Sequence, residues 1–204
     1  FCCLGVHHGS IVKYQRQGVH YIQSLDNMDA VEYGLKMIQA RKFMANSRIL
    51  SVAGTEDGQE AVVPFWGTTV RTVSLRRFEE EVNKTAITPE VEQLAREFKI
   101  NAHKILEPAD PEILQAARVH FANWRLLEAE QGDAMMMDCL PGLRHPRKHV
   151  PPCMAFMSLR DEGIPAGCES DLDATLTMML LQYLFDKPAF QHNPSADTDR
   201  KVYF

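Results

Sequence analysis

Apolar residues between positions 28 and 45 recur at intervals of three and four, which is the spacing of one helical face. The polar residues Asp26 and Asn27 precede them and suit a helix amino terminus, where a side-chain oxygen accepts a backbone amide. The sequence therefore predicts a helix to about Ala45 that buries one apolar face. The residues of that face are Met28, Val31, Leu35 and Ile38.

Two short apolar runs rich in β-branched residues follow this helix. The first, "RILSVAG", covers residues 48–54, and the second, "VRTVSL", covers residues 70–75. Between them, Gly58, Pro64 and Gly67 interrupt any regular element. The sequence therefore predicts a buried strand, a loop and a second strand.

Proline marks the start of two later helices. Thr88 precedes Pro89, and Asp110 precedes Pro111. Proline is favoured at the first helical position because its missing N–H is not needed there. Apolar stripes at helical spacing continue from both prolines, so each predicts an amphipathic helix.

The last third of the chain alternates between strand-like and helix-like segments. Strands are predicted at 134–139, 164–169 and 188–193, and helices at 152–162 and 171–185. The last helix has no continuous polar face, so we expect it to be almost wholly buried. This order is typical of a parallel sheet with helices on both faces. The sequence therefore predicts an α/β fold, in the form of a Rossmann- or flavodoxin-like three-layer domain.

Polar side chains follow the last three predicted strands. They are Asp138 and Cys139, Cys168 and Glu169, and His192 and Asn193. Ligands of open parallel sheets bind outside the carboxyl ends of the strands. We therefore expect Asp138, Glu169 and Asn193 to lie in one crevice at that edge of the sheet.

Three carboxylates lie close together where the strand ending near Glu169 gives way to a helix. Asp171 and Asp173 suit the first helical turn, where a carboxylate caps amides or complements the helix dipole. Glu169 directly follows a buried strand, where a carboxylate is costly unless it meets a cation or a metal ion. Glu169 is therefore the strongest functional candidate, while Asp171 and Asp138 stay open between a structural and a functional role.

The composition narrows the class of protein. The chain has 204 residues, of which 45% are hydrophobic and 24% charged, and its net charge is −5. Its apolar runs are too short to span a membrane, and its basic residues cluster only locally at 144–149, so neither a membrane nor a nucleic acid is an expected partner. The glycine motifs of nucleotide-binding proteins and the common hydrolase motifs are absent from the sequence.

Five cysteines without a C-x-x-C pair indicate reduced thiols and a cytoplasmic protein. Core packing is the preferred interpretation of Cys139, Cys153 and Cys168, since no general base accompanies them. The chain starts at Phe1 rather than at methionine and ends within the strand-like "KVYF". We therefore expect it to be part of a longer protein.

Residues 134–204 resemble the family of L-fucose isomerases and L-arabinose isomerases. The resemblance rests on "PPCMAFMSLRDEG" and "GIPAGCESDLDATLTMMLLQYLFDKPAF", in which a short strand ends in a glutamate, an acidic residue follows two positions later, and a long apolar helix leads to another strand. Residues 26–133 fit more loosely. The resemblance implies the end of an amino-terminal α/β domain with a linking helix at 1–46, a central α/β domain at 47–192, and the start of a carboxy-terminal domain at 193–204.

The resemblance also implies an aldose–ketose isomerase that uses a divalent metal ion, most often manganese. Glu169 would bind the metal and act as the catalytic base that moves a proton through an enediol. Asn193 stands 24 residues later, where the family has its second metal-binding carboxylate, and would be the other ligand. Asp138, His192 and Asp171 would bind the sugar substrate. A homo-oligomer is implied because the family builds its site at subunit contacts.

Asn193 leaves the function open between two hypotheses. An amide binds a metal weakly and cannot take a proton, so either Asp171, Asp138 or Asp197 substitutes for the missing carboxylate or the chemistry has changed. The first hypothesis is an isomerase of an unidentified sugar, and the alternative is a non-catalytic carbohydrate-binding or regulatory relative. A periplasmic-binding-like domain is a weaker third interpretation, because it would need a second equivalent lobe for which this chain has no room.

Overall fold

A computed structural model of the protein describes residues 2–3, 8–23, 27–140 and 150–203. Two features noted in the sequence lie outside these residues. They are the capping candidate Asp26 and the local cluster of basic residues at 144–149. Asn27 is described, and its Oδ1 accepts the backbone N–H of Asp29 at 2.8 Å, so it supports the start of the first long helix.

A five-stranded, mostly parallel sheet forms the centre of the fold. Its strands are β3 (Arg48–Val52), β4 (Glu60–Val62), β5 (Thr69–Val73), β6 (Ala134–Met137) and β7 (Ala166–Cys168), in the order β4-β5-β3-β6-β7. Within this sheet, β3, β5, β6 and β7 run parallel, and β4 runs antiparallel to β5. Two small sheets complete the strands: parallel β1 (Cys2–Cys3) and β2 (Ile22–Gln23), and antiparallel β8 (Ala196–Asp197) and β9 (Val202–Tyr203).

Seven helices accompany these strands in the described part of the chain. They are α1 (His8–Gln15), α2 (Asp29–Asn46), α3 (Leu75–Lys84), α4 (Pro89–Asn101), α5 (Asp110–Glu130), α6 (Cys153–Asp161) and α7 (Leu172–Phe185). The predicted helices are confirmed, and α4 begins at Pro89 as expected. The mixed α/β class is confirmed as well.

The apolar side chains of the central sheet point alternately to its two faces, and helices cover both. On one face, Leu50 and Met135 pack in a core with Phe78 of α3 and Phe156 of α6. The core of the opposite face has the following members: Met44 of α2, Ile49, Ala134, Met136, and Leu176 and Met179 of α7. Both faces of the sheet are therefore covered at its central strands β3 and β6, as parallel strands require.

Helix α3 was not predicted, although the sequence carries a signal for it. Ser74 precedes the helix, and its Oγ accepts the backbone N–H of Arg77 at 3.2 Å. Leu75, Phe78 and Val82 then follow at helical spacing and pack against the core. The predicted loop between residues 55 and 67 also contains a short strand, β4.

The predicted apolar face of α2 is only partly buried. Val31 is buried, whereas Leu35 and Ile38 are 61% and 65% exposed. The other buried residues of α2 are Gly34, Ala40 and Met44. Gly34 and Ala40 add little to a hydrophobic pattern, so the spacing of the large residues indicated a face rotated away from the buried one.

The expectation that α7 is almost wholly buried is wrong. Met179 is buried, but Leu181 and Phe185 are 38% and 52% exposed. Asp173 and Thr177, which precede them at intervals of four residues, are exposed as well. Helix α7 therefore has one open side along its whole length, which is polar in the first half and apolar in the second.

The predicted strand at 188–193 is not formed. Residues 188–195 are irregular, and Pro188 and Pro194 lie at the two sides of the predicted strand and restrict the backbone hydrogen bonds available there. A side chain of this segment, that of Gln191, instead bonds to the backbone of Cys168. The segment therefore reaches the sheet without becoming a strand of it.

Glu130, the last residue of α5, joins that helix to three other elements. Its buried carboxylate accepts hydrogen bonds from Arg71 of β5 and Arg77 of α3, and its carbonyl accepts one from Arg48 of β3 at 2.8 Å. Burial alone would raise the pKa of Glu130, but the hydrogen bonds and charges of the two arginines outweigh it and hold the pKa below its usual value.

We expect Glu130→Gln to lower the free energy of unfolding by about 2 kcal/mol, because it removes the charge that balances two partly buried arginines. Urea denaturation at pH 7 measures this loss, with Glu128→Gln as the exposed control. The pKa of Glu130 is lower in the folded chain than in the unfolded chain. Its contribution to stability is therefore complete above the unfolded-state pKa and is lost as the pH falls through the folded-state pKa. The difference between wild type and variant should therefore shrink in acid below pH 4.5, the usual pKa of glutamate. A difference that stays constant there contradicts the assignment.

Candidate functional site

The carboxyl ends of the four parallel strands lie at one edge of the sheet. The chain first adds β5 on one side of β3 and later adds β6 on the other side. Asp138, the residue after β6, donates its backbone N–H to Val52 at the end of β3 at 3.0 Å. A change in the direction of strand addition opens a crevice at the carboxyl edge, where ligands of open sheets bind.

Glu169 occupies a tight turn at this edge. Glu169 and Ser170 both have a positive φ, 58° and 51°, which is uncommon for residues with a side chain. The backbone N–H of Ser170 donates to Met137 at the end of β6 at 3.0 Å, and that of Asp171 donates to Cys168 at 3.0 Å. The Ser170 Oγ is buried without a hydrogen-bond partner in the described residues. Strained turns of this kind are concentrated at functional sites.

The structure brings Asp138 and Glu169 to the same edge, as predicted. Met137 and Cys168, the residues before them, are direct partners on adjacent parallel strands. Asp138 is half-buried, Glu169 is exposed, and within the described ranges neither carboxylate has a hydrogen bond or an ion pair. Two carboxylates on neighbouring strand ends are therefore available to a ligand.

Asp171 has the structural one of the two roles that the sequence left open, which is helix capping. It caps α7, and its Oδ1 accepts the backbone N–H of Ala174 at 2.9 Å. Asp171 remains exposed, so its other oxygen stays accessible. Asp171 therefore fixes the start of α7 first, and any contact with a substrate would be additional.

His192 and Asn193 are exposed in the irregular segment after α7. The ring of His192 stacks on Phe190 with centroids 5.6 Å apart, and its Nδ1 lies 3.1 Å from the carbonyl of Asn193. The preceding residue, Gln191, bonds to Cys168 next to Glu169. The segment that carries His192 and Asn193 thus passes the end of β7, although not as the predicted strand.

Two features of the carboxyl edge were missed in the sequence. Asp57, in the loop before β4, accepts the backbone N–H and the hydroxyl of Ser74 at 2.8 and 3.0 Å. Partial burial alone would raise the pKa of Asp57, but the bonds from Ser74 and the nearby charges of Arg77 and Arg76 lower it. The second feature is the pair formed by Arg160 and Gln191 at β7. Neither feature has a local sequence signal, because each depends on residues that meet only in the fold.

Three cysteines, Cys139, Cys153 and Cys168, lie near this edge. Cys139 is buried in the core, which confirms core packing for that residue, whereas Cys153 is exposed as a residue. Partial burial of its thiol and the nearby Cys168 and Cys139 sulfurs raise the pKa of Cys153 above its usual value. A raised pKa favours the unreactive thiol form.

Carboxylate and amide oxygens, which occur at this edge, are the kind of atom that a hard divalent cation prefers. Glu169 offers a carboxylate, and Asn193 offers an amide oxygen from the neighbouring segment. Within the described residues, no three His, Cys, Asp or Glu side chains lie close enough to form a metal site by themselves. Water, a substrate or other parts of the protein would have to complete the coordination of a metal ion held by Glu169 and Asn193.

Gly167 of β7 lies where the packing of α7 on the sheet leaves no room for a side chain. A Cβ at this position would lie 1.9 Å from the Thr175 Oγ1 and 3.3 Å from the Met136 Cβ. We expect Gly167→Ala to lower the free energy of unfolding by roughly 2 kcal/mol through overpacking. Adding Thr175→Ala should restore part of the loss, because it removes the obstructing hydroxyl. Urea denaturation of both single variants and the double variant tests this, and strictly additive losses would contradict it.

No family model matches the sequence of this chain, and none of the curated proteins matches it either. None of the described helices is both long and apolar enough to cross a membrane. The site is therefore described by its own geometry: two carboxylates at adjacent strand ends of a parallel sheet, next to the segment of His192 and Asn193.

Proposed function

We propose that the protein is an aldose–ketose sugar isomerase similar to the L-fucose and L-arabinose isomerases, acting in carbohydrate metabolism. The observation that carries the proposal is the position of Glu169, in a strained turn at the carboxyl edge beside Asp138. A proton-transfer base must be accessible to the substrate, and the exposed Glu169 meets this condition. The order β5-β3-β6-β7 supports a Rossmann- or flavodoxin-like domain, since it corresponds to the 2-1-3-4 part of the flavodoxin order.

Glu169 takes the proton from C2 of the open-chain aldose and returns it to C1. The proton of the C2 hydroxyl passes to the C1 oxygen, so that the aldehyde becomes a hydroxymethyl group and C2 becomes the ketone carbon. Asp138, half-buried on the adjacent strand end, accepts hydrogen bonds from sugar hydroxyls and orients the chain of carbons. His192 and Asp171 are exposed on the two segments next to Glu169 and contribute further hydroxyl contacts. A divalent ion held by Glu169 and Asn193, with manganese as the first candidate, would supply polarisation of the carbonyl and hydroxyl oxygens.

The proposal extends to the organisation of the protein. Residues 1–46 belong to the end of an amino-terminal domain and its linking helix, residues 47–192 to the central domain, and residues 193–204 to the start of a carboxy-terminal domain. The working form is a homo-oligomer. A cytoplasmic location is supported by the free thiols of Cys139, Cys153 and Cys168.

A second candidate function is a non-catalytic carbohydrate-binding or regulatory relative of these isomerases. The observation that favours it is the amide of Asn193, at the position where the resembled family has a carboxylate. An amide contributes no negative charge to a metal site and takes no proton. The crevice at the carboxyl edge would still bind sugar hydroxyls through Asp138 and Glu169.

Glu169→Gln tests the first candidate directly. We expect loss of aldose–ketose conversion and a weakening of manganese binding by roughly tenfold or more, because the amide keeps the size of the side chain but has neither charge nor basicity. Since Glu169 is exposed, the free energy of unfolding should change by no more than about 0.5 kcal/mol. Calorimetry with manganese and a panel of aldoses provides the measurements.

Asp173→Asn is the matched control for that experiment, because Asp173 is an exposed carboxylate in the first turn of α7. It should keep both manganese affinity and turnover. Unchanged manganese affinity in Glu169→Gln would remove Glu169 from the metal shell. Sugar binding without metal dependence or turnover would favour the second candidate.

Asn193→Asp is the complementary change. It adds a negative charge at an exposed position beside the candidate site and should tighten manganese binding by about tenfold, which corresponds to about 1.4 kcal/mol. Manganese calorimetry checks this prediction. Asp199→Asn, a change of charge elsewhere in the same region, serves as the control and should leave the affinity unchanged. Equal affinities in wild type and Asn193→Asp would place residue 193 outside the metal site.

A further inference from the structure

Strand β7 lies at the edge of the five-stranded sheet, and no strand of the described chain pairs with its outer side. An edge strand leaves backbone N–H and C=O groups without partners, and such groups must be satisfied by side chains or water. Alternate residues of a strand point their backbone groups to the same side. The outward groups of β7 therefore include the Ala166 carbonyl and the N–H and carbonyl of Cys168.

Two side chains occupy these outward groups. The Arg160 guanidinium of α6 donates from Nε and Nη2 to the Ala166 carbonyl at 2.8 and 2.5 Å. The Gln191 Oε1 accepts the Cys168 N–H at 2.9 Å. Its Nε2 lies 3.5 Å from the Cys168 carbonyl, which also accepts the Asp171 N–H at 3.0 Å. Arg160 also reaches the Gln191 Oε1 at 3.5 Å.

The Gln191 side chain takes the place of the missing strand. A primary amide carries an acceptor and a donor on the same edge, so it can face both backbone groups of one residue. Glutamate retains the acceptor but has no donor when ionised, and asparagine is one methylene shorter. Glutamine is therefore the residue whose chemistry matches this position.

The two ends of this contact adjoin the two parts of the candidate site. Cys168 directly precedes Glu169 in its strained turn, and Gln191 directly precedes His192 and Asn193. We propose that Gln191 is a positioning residue, whose amide holds the backbone of Cys168 and thereby fixes Glu169 relative to the segment of His192 and Asn193. The effect on ligand binding rests on the proposed function, whereas the contact itself does not.

Hydrogen exchange of the full chain, followed by NMR, tests the contact first. In Gln191→Ala the Cys168 amide loses its acceptor and should exchange at least tenfold faster than in wild type. In Gln191→Glu the carboxylate still accepts that amide, so protection should be largely kept. Gln93→Ala, which removes an exposed glutamine from α4, should leave the Cys168 amide unchanged. Equal exchange in wild type and Gln191→Ala overturns the proposal.

The positioning role has two further readouts. The amide chemical shifts of Glu169 and Asn193 should move in Gln191→Ala and stay in place in Gln93→Ala. Manganese affinity should fall about tenfold in Gln191→Ala, with thermal stability equal to that of the Gln93→Ala control and with partial recovery in Gln191→Glu. Faster exchange of Cys168 with unchanged shifts at Glu169 and Asn193 would overturn the positioning role, because the contact would then be only a covering of the strand edge.

The outcomes separate this inference from the proposed function. If wild type binds neither manganese nor any aldose, the proposed function fails. The exchange rate of Cys168 and the shifts of Glu169 and Asn193 still decide whether Gln191 positions these residues. If wild type binds manganese and Gln191→Ala binds it equally well, the inference fails while the proposed function stands.

Discussion

The lack of a side chain on Gly167 is the constraint on which the carboxyl edge depends. It lets α7 lie directly on β6 and β7, with the Thr175 hydroxyl where a Cβ would otherwise be. Because only three residues separate β7 from α7, the turn has little freedom once both elements are in place. Two left-handed residues, Glu169 and Ser170, complete the connection, and the Asp171 cap then starts the helix. Close packing thus determines where the Glu169 carboxylate stands.

Charged residues are used in two different ways in this fold. The Glu130 carboxylate is buried and satisfied by Arg71 and Arg77, so its charge stabilises the junction of α5 with the sheet. Asp138 and Glu169 stand at strand ends, and no partner for either lies within the described ranges. An unpaired carboxylate at a half-buried position costs stability, and such a cost is expected where a ligand supplies the missing partner.

Local sequence signals predicted the elements better than they predicted the contacts between them. Contiguous apolar runs indicated β3, β6 and β7, and the proline at position 89 located the start of α4. Parallel pairing then sufficed to place Asp138 and Glu169 at one edge. The inward face of α2 was predicted only in part, because Gly34 and Ala40 carry little hydrophobic signal. The Gln191 contact was missed because a side chain that replaces a strand leaves no periodic pattern in the sequence.

A cleft of about 950 Å³ lies elsewhere among the described residues, between α2 and the end of α7. Helix α7 has 14 residues and a rise of about 1.5 Å per residue, so its carboxyl end, which lines this cleft, is roughly 20 Å from the Glu169 turn. The described lining includes Phe43 and Phe185, and Asp186 is the single carboxylate in it. Proton transfer needs convergent acid and base groups, and one carboxylate does not supply them. The proposed chemistry is therefore assigned to the strand ends, where two carboxylates occur on adjacent strands and a polar segment passes beside them.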